Sequence, residues 1–171
     1  LRHAFGPLAA AFIAAVSTAN PAQAASEPIW YADASHSYRF TVPDGCGVRK
    51  SPHGNPYILC SDSVAAVTQV QGSAKISDVA AVMTSVTNGW KGMKIVSSAK
   101  SGTLGGESSI RNRVQGTEPD GTRADALFLA ATHKGSWYVF VFVAPSKSFD
   151  SDSSRYFDPM QQSFKFAEGP F

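Results

Sequence analysis

Apolar and polar residues follow three rhythms along this chain, and each rhythm predicts a different element. A period of two marks "SYRFTVP" (Ser37–Pro43), where Tyr38, Phe40 and Val42 share one face of a strand. Pro43-Asp44-Gly45 closes it in a turn, proline presetting φ and glycine accepting a positive value. "YILCS" and "VAAVTQVQG" (Val64–Gly72) read as the next strands, joined about Asp62-Ser63. The rhythm then becomes helical. Val79, Val82, Met83, Val86 and Trp90 recur at i, i+3, i+4, i+7 and i+11, with Asp78, Thr84, Ser85, Asn88 and Lys91 off the stripe. Ser77 is placed to cap this helix and Gly92 to end it.

Strands return in the second half. "MKIVSSAKSG" and "SSIRNRVQGT" flank Leu104-Gly105-Gly106, a hairpin signal, and "TRADALFLAATH" follows the turn Pro119–Gly121. Past Lys134-Gly135, "SWYVFVFVAP" sets the third rhythm, with seven consecutive apolar residues from Trp137 to Val143. Unbroken apolarity implies burial on both faces, hence a central strand with something packed on each side. One helix cannot cover two faces. A second helical pattern comes from Phe149, Tyr156, Phe157, Met160 and Phe164, with a break expected at Pro159, Asp158 capping a last short turn. The expected fold is α+β, an α/β/α sandwich. Its central antiparallel sheet of about six strands carries the amphipathic helix and the C-terminal helix on opposite faces.

The first residues fall outside this pattern. Arg2 and His3 precede "AFGPLAAAFIAAVSTA", and Ala22-Gln23-Ala24 supplies small residues beside a scissile bond. Basic flank, short apolar run and A-x-A site predict a secretory signal cleaved between Ala24 and Ala25. A membrane anchor fits less well, since spanning takes about 20 strongly apolar residues. Residues 1–24 are therefore read as signal, 25–36 as a short tail and 37–171 as one globular domain. Cleavage would remove Arg2 from the 15 basic residues and none of the 13 acidic ones, leaving a net charge of +1. Such a balance, with scattered Lys and Arg, gives no field for nucleic acid. A monomer is expected, exported to a bacterial periplasm or the extracellular space, without a membrane span after cleavage.

Export bears on Cys46 and Cys60, the two cysteines of the chain. In an oxidising compartment such a pair is expected to form a disulfide. Thirteen residues (47–59) lie between them, unlike C-x-x-C redox motifs, and His53 alone cannot complete a zinc shell. The intervening Gly and Pro residues predict a loop, whose closure would add about 3 kcal/mol by restricting the unfolded chain. Free thiols or a reactive cysteine are the alternative. Arg49, Lys50 and His53 would stand on that loop as a contact surface or as ordinary solvated residues. Trp30 and Tyr31, ahead of the first strand, either dock a partner or tuck back on the domain, and tucking is expected.

Reactive motifs are sparse. There is no G-x-S-x-G elbow, Walker loop or H-E-x-x-H, and "GCGVRK" has Lys50 where a dinucleotide loop needs its third glycine. His36, His53 and His133 lack metal spacing and are expected at turns or the surface, His133 being exposed beside Lys134-Gly135. Asp44 and Asp120 belong to turns. No catalytic residue, metal or cofactor is assigned.

The order of elements nevertheless resembles a known fold. Tyr38, Phe40 and Thr41-Val42-Pro43-Asp44-Gly45 open it, and an amphipathic helix follows the early strands. Gly135, Trp137, Tyr138, Phe140 and Phe142 form a meander core, and Phe149, Tyr156-Phe157, Met160 and Ser163-Phe164-Lys165-Phe166 close it. From about Ser37 to Phe166 the chain resembles the PsbP-like fold. That fold includes an extrinsic photosystem II subunit, a nuclear-import factor that binds a small GTPase, and periplasmic proteins of the DcrB type. The resemblance implies an accessory or interaction protein rather than an enzyme and transfers no catalytic residue; with the expected leader, the reading is an exported accessory protein that binds another protein or an envelope component. A small secreted hydrolase, or a small-ligand or lipid carrier with a cavity under the amphipathic helix, are the alternative readings.

Overall fold

Short turns join most of the strands, so consecutive elements fold back antiparallel on one another. The structure, a computed structural model, describes residues 29–33, 38–50, 56–70, 76–99 and 102–167. The expected leader with Ala24 and Ala25, and also His36 and His53, lie outside the described residues. In chain order the elements are β1 (Ile29–Asp33), β2 (Tyr38–Val42), β3 (Cys46–Lys50), β4 (Pro56–Cys60), β5 (Ser63–Val70) and α1 (Ile76–Val86). Next come β6 (Lys91–Ala99), β7 (Thr103–Leu104), β8 (Glu107–Thr117), β9 (Arg123–His133) and β10 (Ser136–Pro145). The chain closes with α2 (Phe149–Asp152), a π turn (Ser153–Phe157), α3 (Asp158–Ser163) and β11 (Lys165–Phe166).

The main sheet runs β3-β4-β5-β10-β9-β8-β6, with β7 attached to β8, and is larger than the six strands expected. A second, three-stranded sheet of order β1-β2-β11 was not foreseen. It takes up part of the segment read as a tail: Ile29–Asp33 pairs with Val42–Tyr38. Gly45 takes φ of 78° in the turn after β2, as its sequence context predicts.

Strand alternation divides the main sheet into two chemically distinct faces. On one, Leu127, Leu129, Tyr138, Phe140 and Phe142 pack against Tyr38 and Phe40 of β2 and against Phe149, Phe157, Met160 and Phe164 of the C-terminal segment. Rings meet throughout this aromatic face, with Phe140 and Phe157 centroids 4.8 Å apart and Phe142 and Phe149 5.7 Å apart. On the other, aliphatic face, Val114, Ala126, Phe128, Ala130, Val139 and Val141 receive Val79 of α1, flanked by Val82, Met83 and Val86. β10 is buried on both faces from Tyr138 to Phe142, and β9 from Ala124 to Ala131. The Ala-rich composition of β9 had concealed that it is as central as β10.

Two local expectations are corrected. α1 ends at Val86, so Trp90 lies beyond it, and Gly92 belongs to β6. The C-terminal segment does not break with an Asp158 cap: Phe157 and Asp158 both keep helical angles, and no side chain caps the turn. The π turn takes the place of the break, the Asp158 N–H donating to the Ser153 carbonyl five residues back. This wider turn leaves room for Pro159, which has no N–H to give and would crowd an ordinary helical turn.

Candidate functional site

The residues singled out in the sequence do not converge. Cys46 and Cys60 form a disulfide, their Cα atoms 4.3 Å apart as direct cross-strand partners. The stretch between them is a hairpin of β3 and β4, not the loop expected, because Val48 and Ile58 turn inward to the aromatic face. Arg49 and Lys50 stand exposed on β3, at an edge of the main sheet. Trp30 and Tyr31 lie on the other sheet and part ways there. Tyr31 packs on Phe40 with ring centroids 5.3 Å apart and donates a 2.9 Å hydrogen bond to the Asp33 carboxylate. Burial, then that hydrogen bond and the Asp33 charge, push its phenol far above its ordinary pKa. Trp30 is 47% exposed, with the Arg39 guanidinium 5.3 Å from its ring centroid.

His133 is not the exposed turn residue expected. Its ring stacks on Phe166 at 4.1 Å, its Nδ1 lies 2.9 Å from Glu107 Oε1, and its Nε2 is buried without a hydrogen-bond partner. The buried carboxylate of Asp125 accepts from Arg113 Nε at 2.9 Å and Gln115 Nε2 at 3.2 Å. Burial pushes this carboxyl up, but bonds from Ser146, Gln115 and Arg113 with the Arg113 charge outweigh it and hold it below its ordinary value. Arg113 also reaches Asp150 at 2.8 Å and lies 4.0 Å over the Phe149 ring, so the cluster fastens the start of the C-terminal helix to β8 and β9.

At one end of the sheet, a hollow of about 460 Å³ is lined in part by Asp62, Glu118, Asp120 and Lys147. Burial and the charge of Asp120 hold the Glu118 carboxyl above its usual range. Asp120 itself accepts the Thr122 N–H at 2.8 Å, as a turn residue should. Among the described residues no group of three or more His, Cys, Asp or Glu could hold a metal ion.

Sequence reasoning placed a cavity under the amphipathic helix only within the carrier alternative, and missed the β6 wall of what the structure has there, an apolar cleft on the aliphatic face. Along one flank of α1, Ala80, Met83, Thr84 and Thr87 face Met93 and Ile95 of β6 and Val114 of β8 across about 270 Å³. A hollow of about 90 Å³ continues it toward Ile110, Phe128 and Ala130, sharing Ala80 and Met83. Its two threonines offer no free donor, since Thr84 Oγ1 donates to the Ala80 carbonyl and Thr87 Oγ1 to that of Met83. Gly116 of β8 lets Trp90 and Met93 pack close to the sheet, because a Cβ there would lie 2.9 Å from the Trp90 ring and 3.2 Å from Met93. Met93, Ile95 and Val96 are 52%, 67% and 48% exposed, a concentration of apolar surface on one strand. The signal was present in "MKIV" directly after a helix, but a strand exposed at the edge reads the same as one in the core.

No protein-family model matches the chain, and no curated protein matches its sequence. Cyanobacterial PsbP (CyanoP) of Synechocystis sp. PCC 6803 superposes with a TM-score of 0.60 at 14% identity, covering 86% of this chain and 96% of that one. The fold is PsbP-like. The Ran-binding protein Mog1p of Saccharomyces cerevisiae superposes at 0.55 and 12% identity, over 81% of this chain and 95% of its own. LpqN of Mycobacterium tuberculosis, described as involved in cell envelope biogenesis, does so at 0.52 and 14%, over 76% and 83%. At these identities the likeness concerns the PsbP-like backbone, which agrees with the resemblance carried by Tyr38, Phe40, Tyr138, Phe140 and Phe157.

Proposed function

We propose that this chain is an exported, non-enzymatic accessory protein that docks a partner protein or envelope component through the cleft between α1 and β6. One observation carries the reading: Met93, Ile95 and Val96 hold apolar side chains in water beside a preformed apolar slot. Such a patch is costly to keep exposed unless a partner covers it. The Cys46–Cys60 disulfide supports an oxidising compartment, in keeping with a cleaved leader and a periplasmic or extracellular site. Ran binding by Mog1p and the involvement of LpqN in cell envelope biogenesis are consistent with a binding role. A small-ligand carrier would use the same cleft, but half-exposed walls suit surface contact better than enclosure. A hydrolase draws little support from His133, which is occupied by Glu107 and Phe166.

The test is a photoreactive amino acid at Ile95 in living cells, with Arg49 as the control position. A partner captured at position 95 and not at 49 is the expected outcome; equal or absent capture at both overturns the proposal. N-terminal sequencing of the exported protein should begin at Ala25, and an intact leader would overturn the export part.

A further inference from the structure

The free edge of β6 has a chemistry of its own. β6 ends the main sheet, so the main-chain groups on its outer side have no strand beside them among the described residues. Its register with β8 pairs Lys91 with Thr117, Lys94 with Gln115 and Ile95 with Val114. Across a bulge between Lys91 and Lys94 both lysines pair with residues of the Gln115 face, while Ile95 pairs with Val114 on the cleft face, and Lys94 also lines the rim of the cleft. Among the described residues the edge therefore presents unpaired amides and carbonyls, with exposed lysines set beside and between its apolar side chains. Neither Lys91 nor Lys94 has an acidic partner among the described residues, and both residues are exposed.

We infer that β6 accepts an extended polypeptide segment of the partner as an added antiparallel strand, one in which acidic and apolar residues alternate. This deepens the cleft reading and rests on it. Main-chain hydrogen bonds to β6 supply affinity for any strand, and the side-chain pattern supplies selection. Apolar residues of the incoming strand extend Met93 and Ile95 over the slot, where Met83 and Met93 can adjust to their shape. Its acidic residues meet Lys91 and Lys94, the latter at the rim of the cleft, as cross-strand pairs do. A second copy of this chain fits poorly, because Lys91–Ala99 contains no acidic residue and two such strands would bring lysines together without counter-charge. A second bulge, between Ile95 and Ser97, keeps the edge from being one long flat template, which favours a short segment over open-ended self-pairing.

The experiment uses the protein with a fluorescent synthetic peptide of alternating leucine and glutamate, read by anisotropy. Three control peptides replace glutamate by lysine, methylate every second backbone nitrogen, or insert a central proline. Saturable binding of the leucine–glutamate peptide is expected, with a loss of tenfold or more for each control. Ile95→Lys and the double variant Lys91→Glu, Lys94→Glu should each weaken binding at least tenfold, with far-UV circular dichroism verifying the fold. Equal binding of the methylated peptide overturns strand addition, and equal binding of the lysine peptide overturns the charge selection. If no peptide binds while cells still show capture at position 95, the inference falls and the cleft reading stands. If capture also fails, both fall. A β6-dependent dimer in sedimentation would assign the edge to a second copy and overturn the inference as well.

Discussion

The two faces of the main sheet differ in how they are closed. The aromatic face is sealed by a helical segment and a second sheet, with Tyr38, Phe40, Phe140, Phe157 and Phe164 essentially excluded from water. The aliphatic face has a single short helix, eleven residues long, set over β8, β9 and β10. Beyond its flanks the same sheet keeps Leu59, Val64, Met93 and Ile95 at the surface. One face thus carries the stability of the domain and the other has apolar surface to spare for contact.

That division can be broken by substitution. The largest effect should come from the aromatic face: Phe140→Ala is expected to lower stability by about 3–5 kcal/mol in urea unfolding, because large-to-small changes add a cavity to the lost transfer energy. Val139→Ala, one residue along and on the aliphatic face, should cost only about 2 kcal/mol. Equal losses would erase the contrast. Next, replacing both Cys46 and Cys60 by serine should remove about 3 kcal/mol, judged on the closed loop, and the wild type in reductant should match the variant.

The clamp between the sheet and the C-terminal segment comes third. Asp125→Asn should cost about 2 kcal/mol at neutral pH, below the range for fully buried pairs because Arg113 is 23% exposed. The folded state holds the Asp125 carboxyl below its ordinary value. Its contribution is therefore complete above the unfolded carboxyl pKa and vanishes as pH falls through the lower folded one. Acid titration of stability should show this loss in the wild type and not in the variant. The smallest effect belongs to the open face: Ile95→Lys should change stability by less than about 0.5 kcal/mol, as surface substitutions usually do. A large loss there would mean that the cleft is core after all.

Much of this architecture can be read from the chain, and the parts that cannot have physical causes. Seven apolar residues in a row announced β10, and the i, i+3, i+4, i+7 spacing announced α1. Export chemistry made a disulfide the expectation for Cys46 and Cys60, and the structure has one. β9 was harder, since its run is rich in Ala and Asp125 interrupts it, and the Arg113, Gln115 and Ser146 side chains that make the carboxylate tolerable inside lie elsewhere in the sequence. β1 was lost because Trp30 and Tyr31 look alike in sequence yet face opposite environments. The cleft was lost for a different reason. Whether Met93 and Ile95 are covered depends on how far α1, the element just before β6, reaches across the sheet. Local periodicity carries no record of that.

The small sheet joins the two ends of the described chain, with Lys165 and Phe166 paired to Arg39 and Tyr38, and Phe164 stacked on Tyr38 at 5.3 Å. During synthesis, β2 leaves the ribosome more than a hundred residues before the strand that completes its sheet. Until that last strand emerges, Tyr38 and Phe40 can meet Tyr138 and Phe140 but lack Phe164 on their other side. Closing the aromatic face therefore couples β2 to the Phe164–Phe166 stretch, two segments far apart along the chain.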